Sequence, residues 1–243
     1  MASAARSRDT PPMSDQPVVR SREVTVPRTA RYAVLGADVS VAEELWLVCH
    51  GYGQLASRFI RRFGVLDNGR RLIVAPEAPS RFYLSGGTGP HSDEDKVGAS
   101  WMTREGRDAE IADQVTFLDM VREGVLGAPE RAGIRVIALG FSQGAATVRR
   151  WAALTATPPI DVVLWGSGVP SDLFDGEGRA GLARAALTLV VGSSDPIASG
   201  ERVGVHREQL DAAGLAYRFV SNEGGHEIDG AALAGLAAGL ARA

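Results

Sequence analysis

Residues 134–154 read IRVIALGFSQGAATVRRWAAL, and this stretch decides the fold. Its first half, Ile134 to Phe141, is a short apolar run of the kind that forms a strand buried on both faces. Its second half, Ala145 to Leu154, is helical in composition. Between them, Gly140-Phe141-Ser142-Gln143-Gly144 has the form G-x-S-x-G. A serine so placed occupies a strained strand-to-helix turn. The flanking glycines remove side chains that would collide with the neighbouring strand and helix, and the hydroxyl is presented above the sheet. The expectation is a nucleophile at Ser142.

Outward from this point, strand-like and helix-like segments alternate. Glu23 to Val26 and Arg31 to Leu35 read as a hairpin-like pair. Leu45 to Cys49, Arg71 to Ala75, Val162 to Trp165, Leu187 to Val191 and Tyr217 to Val220 read as strands. Arg104 to Arg122 has helical spacing, with Ile111, Val115, Leu118 and Val121 on one face. Glu201 to Ala213 is a helix ended by Gly214, and Ile228 to Leu240 a last helix. Apolar strands alternating with helices predict a mostly parallel sheet covered on both faces. Ligands bind such sheets outside the carboxyl ends of the strands. With the serine turn included, the expected class is α/β, an α/β-hydrolase fold without a large cap domain.

The chain has 243 residues, 45% of them hydrophobic and 23% charged, which suits one domain with a full core. Residues 1–20 read as a disordered tail, with Met13 an alternative start, and 21–243 as the domain. Net charge is -3, from 26 basic and 29 acidic residues, and no basic face is concentrated enough for nucleic acid or an anionic membrane. Arg70-Arg71 and Arg149-Arg150 read as solvated pairs. Cys49, the one cysteine, reads as a small core residue. No apolar run approaches the ~18 residues of a membrane span, and no signal-peptide core is seen, so a cytoplasmic location is expected. No phosphate loop or metal-ligand spacing is found, and neither cofactor nor metal is expected; Asp93-Glu94-Asp95 reads as a solvated loop.

A serine nucleophile needs a base. Of four histidines, His226 follows the last strand in Asn222-Glu223-Gly224-Gly225-His226, where the α/β-hydrolase chain order puts the base. His50 follows a strand but is succeeded by Gly51, and suits a loop-positioning role. His91 and His206 read as solvated. The base needs a carboxylate to hold its tautomer. Asp195, in Gly192-Ser193-Ser194-Asp195-Pro196, follows a strand directly; Asp172, Asp175 and Asp229 do not. An oxyanion needs two backbone N–H groups, expected from Gln143 and from Tyr52 in His50-Gly51-Tyr52-Gly53.

These residues resemble the phospholipase/carboxylesterase family of α/β hydrolases, which includes the acyl-protein thioesterases. The resemblance runs from about Leu45 onward. It rests on His50 to Gly53, Ala75-Pro76-Glu77-Ala78-Pro79, Ala99-Ser100-Trp101, Leu139 to Gly144, Trp165-Gly166-Ser167-Gly168-Val169-Pro170, Gly192 to Pro196 and Glu223 to His226. It implies a cofactor-free serine esterase or thioesterase. Two departures stand out: Ala145 replaces the family's second glycine after the elbow, and the aspartate expected after the Trp-aromatic pair is missing from Trp101-Met102-Thr103-Arg104.

The interval from Trp165 to Leu187 is too short for a helical cap, so an open site is expected, with Phe82, Tyr83, Trp101 and Met102 as candidates for its apolar wall. The expected function is hydrolysis of short- to medium-chain carboxylic esters, lysophospholipid-like ones among them, through an acyl-enzyme. A thioesterase or acyl transferase with the same residues and a non-catalytic binding protein of the same fold remain the alternatives. Oligomeric state is not legible.

Overall fold

The computed structural model describes residues 20–85, 89–127, 133–168, 173–174 and 176–241. The expected tail at 1–20, the rival carboxylates Asp172 and Asp175, and Val169-Pro170 fall outside them, Arg20 excepted. Among the described residues the main sheet has the order β1-β3-β2-β6-β7-β8-β9. These strands are β1 (Tyr32–Gly36), β2 (Glu44–Cys49), β3 (Arg71–Pro76), β6 (Arg135–Phe141), β7 (Asp161–Trp165), β8 (Ala186–Gly192) and β9 (Tyr217–Asn222). All neighbours run parallel except β1, which pairs antiparallel with β3 at one edge.

The alternation of side chains along each strand sorts the core into two layers. Leu47, Cys49, Ala138 and Leu164 face one way, toward Leu118 of α2 (Arg107–Leu126), Val148 and Trp151 of α3 (Gln143–Leu154), and Leu210 of α5 (Gly200–Ala212). Trp46, Val48, Ile73 and Val163 face the other way. They meet Phe59 of α1 (Ala56–Phe59), Phe63 of the 3-10 helix Ile60–Leu66, and Leu233, Leu236 and Leu240 of α6 (Gly230–Leu240). A sheet apolar on both faces needs both covers, which is why its central strands read as continuous apolar runs.

The structure corrects two sequence expectations and adds two elements. Glu23 to Val26 forms no strand and is exposed, so Tyr32–Gly36 pairs with β3 instead of forming a hairpin. A two-stranded sheet not foreseen joins β4 (Ser80–Tyr83) to β5 (Val97–Ser100). Its strands are four residues each and its loop is Gly-rich and polar, so no apolar run announces it. Arg149 and Arg150 are buried, not solvated; the Arg149 guanidinium lies 5.9 Å from the Phe174 ring. In the interval after Trp165, a short helix α4 (Gly176–Leu182) lies against α3, with Gly181 so close to the Ala153 carbonyl that a Cβ would stand 1.9 Å from it.

No helix among the described residues is long and apolar enough to cross a membrane.

Candidate active site

The turn between β6 and α3 is as tight as its sequence demands. Ser142 has φ 53° and ψ -118°, and it is the one non-glycine residue with positive φ among those described. Such a conformation costs on the order of 1–3 kcal/mol, so the surroundings must enforce it. They do: the Ser142 N–H donates to the Trp165 carbonyl at 2.8 Å, and its own carbonyl accepts from Ala145 at 3.0 Å. A Cβ on Gly144 would stand 2.2 Å from the Cys49 carbonyl oxygen, and one on Gly140 2.3 Å from the Gly144 carbonyl oxygen. Both glycines are therefore steric necessities of the turn. At the following place the chain carries Ala145, whose side chain is buried in the core, so the departure from the double glycine is accommodated.

The loops after β8 and β9 bring the other two side chains to this point. His226 Nε2 lies 2.9 Å from Ser142 Oγ, and His226 Nδ1 lies 2.8 Å from Asp195 Oδ2. Asp195 Oδ1 accepts from the N–H groups of Ile197 and Ala198, each at 2.8 Å. Burial by itself would raise the Asp195 pKa; those amides and His226 outweigh it and hold the carboxyl below its usual range. The side chain therefore stands as a buried anion and sets Nδ1 of His226 as the protonated nitrogen, leaving Nε2 to accept from the serine hydroxyl. His226 fits here because Gly166, with φ +64°, has no side chain: a Cβ would approach the imidazole to 3.1 Å. The loop is anchored by the Trp165 indole N–H on the Glu227 carbonyl at 2.8 Å and by Asp229, which caps α6 through the Ala232 N–H at 2.7 Å. Asp229 thus has a helix end to hold.

The loop after β2 faces Ser142 from the other side. His50 is fully buried: its Nδ1 donates to the Gly51 carbonyl at 2.8 Å, and its Nε2 accepts from the Ala78 N–H at 3.1 Å. Burial lowers its pKa against smaller opposing effects of Gly51 and Glu77, so it stays neutral and holds the loop. The segment Ala75 to Pro79 thereby acquires a function, for Ala78 pins His50 while buried Glu77 takes Arg31 at 2.6 Å and Arg81 at 3.2 Å. Gly51 N–H donates to Gln54 Oε1, and Gly53 N–H to the Ala99 carbonyl. The amide N–H groups of Tyr52 and Gln143 have no acceptor among the described residues. An oxyanion requires donors that are not already engaged, and these two amides meet that condition.

The four residues expected to form an apolar wall are not among those lining the cleft beside Ser142. Trp101 is buried, its indole N–H donating to the His50 carbonyl at 2.8 Å. Met102 gives its carbonyl to Gln143 Nε2 at 2.9 Å. Phe82 and Tyr83 sit on the β4–β5 hairpin, where they border a separate groove with Arg31, Leu55 and Arg81. The reason is the hairpin itself, which turns this segment into a brace for the loop after β2. A Cβ on Gly98 would stand 2.5 Å from the Gly53 carbonyl oxygen, and the Tyr52 and Phe82 rings lie 5.1 Å apart.

The cleft beside Ser142, of about 230 Å³, is instead walled by Gly166 to Gly168 on one side and by Ile197, Arg202, Val203 and His206 on the other. His206, expected to be solvated, packs its ring on Gly168 so closely that a Cβ there would overlap it. His91, expected in solvent, is exposed and stacks on Tyr83 with ring centroids 3.6 Å apart. The side chain of Gln143 was also unforeseen as a tie: its Oε1 accepts from the Trp101 N–H at 3.0 Å, and its Nε2 donates to Ser100 Oγ at 3.1 Å. Gln143 carried a signal only for its backbone; the long amide next to the serine was the overlooked one.

With sheet and site described, the class is clear: this is an α/β-hydrolase fold. No family model matches the chain, and no curated protein does. Solved structures of the fold do. The esterase PE8 is 19% identical with TM-score 0.65, over 88% of this chain and 99% of that one. Zea mays acyl-protein thioesterase 2 is 20% identical with TM-score 0.63, over the same shares, 88% and 99%. A carboxylesterase from Mesorhizobium loti is 19% identical with TM-score 0.62, over 87% of this chain and 94% of that one.

Proposed function

We propose that this protein is a cofactor-free serine carboxylesterase of the phospholipase/carboxylesterase type, acting on small-molecule esters in the cytoplasm. The observation that carries the reading is the unbroken chain of hydrogen bonds from Ser142 Oγ through His226 to Asp195, 2.9 and 2.8 Å long. The esterases and thioesterase that share the fold support it.

The mechanism proposed uses this geometry. Ser142 Oγ attacks the ester carbonyl carbon while His226 Nε2 takes its proton, and Asp195 stabilises the imidazolium. The carbonyl oxygen, now negative, is received by the N–H groups of Tyr52 and Gln143. Collapse breaks the bond to the alcohol oxygen, which leaves with the proton from His226. Water, deprotonated by the same nitrogen, attacks the acyl-enzyme and releases the acid and Ser142.

The test is hydrolysis of 4-nitrophenyl esters of increasing acyl length by the protein and by Ser142→Ala. Loss of a triad member lowers kcat by about 10⁴–10⁶. Hydrolysis that disappears in the variant supports the reading; equal rates in the two proteins, or none in either, would leave a binding scaffold.

A further inference from the structure

Helix α5 begins Gly-Glu-Arg-Val-Gly-Val-His, a sequence without an apolar stripe. The crossover after Asp195 nevertheless lays one of its faces along the cleft at the nucleophile, because Arg202, Val203 and His206 are spaced i, i+1, i+4. Among the described residues that line that cleft, Arg202 is the one charged side chain. One guanidinium N–H of Arg202 donates to the Ile197 carbonyl at 3.1 Å, which fixes the group at the rim. A guanidinium carries five donors, so its capacity is far from exhausted. The buried Arg149 lies close enough, like Arg202, to disfavour a second positive charge on His206; burial of the ring acts first in that direction, and Gln209 opposes. Asp195, the acid of the site, already has its oxygens engaged by two amides and His226.

A cleft next to the nucleophile whose one charged lining side chain, among the described residues, is an arginine favours an anion. Its volume of about 230 Å³ is below the range of sites for large ligands, so the ester it holds is short. Resting on the esterase reading above, we propose that Arg202 determines specificity: the preferred substrates are short esters bearing an anionic group, a carboxylate or a phosphate, which the Arg202 guanidinium and the His206 ring receive.

The experiment compares mono-4-nitrophenyl glutarate, anionic on the acyl side, with 4-nitrophenyl pentanoate, and 4-carboxyphenyl butanoate, anionic on the alcohol side, with its neutral methyl ester. At low salt the protein is expected to favour one anionic ester over its neutral counterpart, and the favoured pair tells which side of the scissile bond lies in the cleft. In Arg202→Gln that preference falls about tenfold, as expected when a charge-assisted hydrogen bond is lost. Arg207→Gln, whose side chain lies on the Phe219 ring instead, keeps the preference. Competitive inhibition of neutral-ester hydrolysis by succinate or by inorganic phosphate identifies the anion. Equal use of anionic and neutral esters, or a preference that survives Arg202→Gln, overturns the proposal while leaving the esterase reading intact. No turnover of any ester overturns both.

Discussion

The backbone N–H of Trp101 donates to Oε1 of Gln143 at 3.0 Å, joining the β4–β5 hairpin to the residue that follows Ser142. The same amide side chain donates to Ser100 and Met102, so one residue ties the Ser142 turn to the brace beneath Tyr52. The loop carrying Tyr52 and the turn carrying Gln143 are thus held together through one side chain.

Gln143→Ala retains its backbone N–H yet loses this tie. We expect kcat to fall about tenfold, a fraction of the 10²–10³ that loss of a whole donor costs, with KM little changed. Steady-state kinetics on a neutral ester checks this. A rise in KM at constant kcat would show that the tie serves substrate binding instead.

Asp195→Asn can still accept from Ile197 and Ala198, so the loop is expected to persist. The Nδ1 of His226 loses its anionic partner, and kcat should fall by about 10⁴ through the wrong tautomer. The check is turnover measured below the variant's own unfolding midpoint, which should fall modestly as the ionised Asp195 is lost.

Gly144→Ala puts a methyl 2.2 Å from the Cys49 carbonyl, backbone against backbone. Overpacking of this kind costs about 1–3 kcal/mol or more and shifts Ser142 as well. Gly64→Ala, whose Cβ meets nothing within 4 Å and whose φ is not positive, is expected to be neutral or stabilising by up to about 1 kcal/mol. Chemical denaturation of the two variants distinguishes these outcomes.

Stability should rise with pH through the range below 6.5. His50 and His206 have lowered proton affinity in the fold, so the unfolded chain binds more protons there. Their contribution is complete above the ordinary histidine value of 6.5 and is lost as pH falls below it. Asp195 and Glu77, also held low, contribute in the same direction, and their share is lost in the more acidic range below ordinary carboxylate values. Unfolding midpoints at pH 8, 6 and 5 test the sign; His50→Gln should flatten the upper part of the curve.

What was legible in the sequence was whatever sits at a strand end. Ser142, Asp195 and His226 each follow an apolar run, and a parallel sheet converts that sequence position into spatial proximity. Glycines at 140 and 144 carried the turn because their reason is local sterics. The substrate side was not legible. Phe82 and Tyr83 lie on the β4–β5 hairpin and border a different groove, and Trp101 is spent on the His50 carbonyl. Arg202 and His206 face the cleft through the placement of a whole helix, which polar spacing along α5 does not reveal. Arg149 is charged and fully buried, with its guanidinium 5.9 Å from the Phe174 ring, a burial that the composition of α3 does not foretell.

The central claim, that Ser142 is a nucleophile activated by His226, is tested most directly by covalent labelling with a fluorophosphonate followed by intact mass and peptide mapping. The account predicts a single adduct on the peptide containing Ser142, absent in Ser142→Ala and strongly slowed in His226→Ala. An adduct on another residue, or labelling of Ser142 at the same rate without His226, would contradict it.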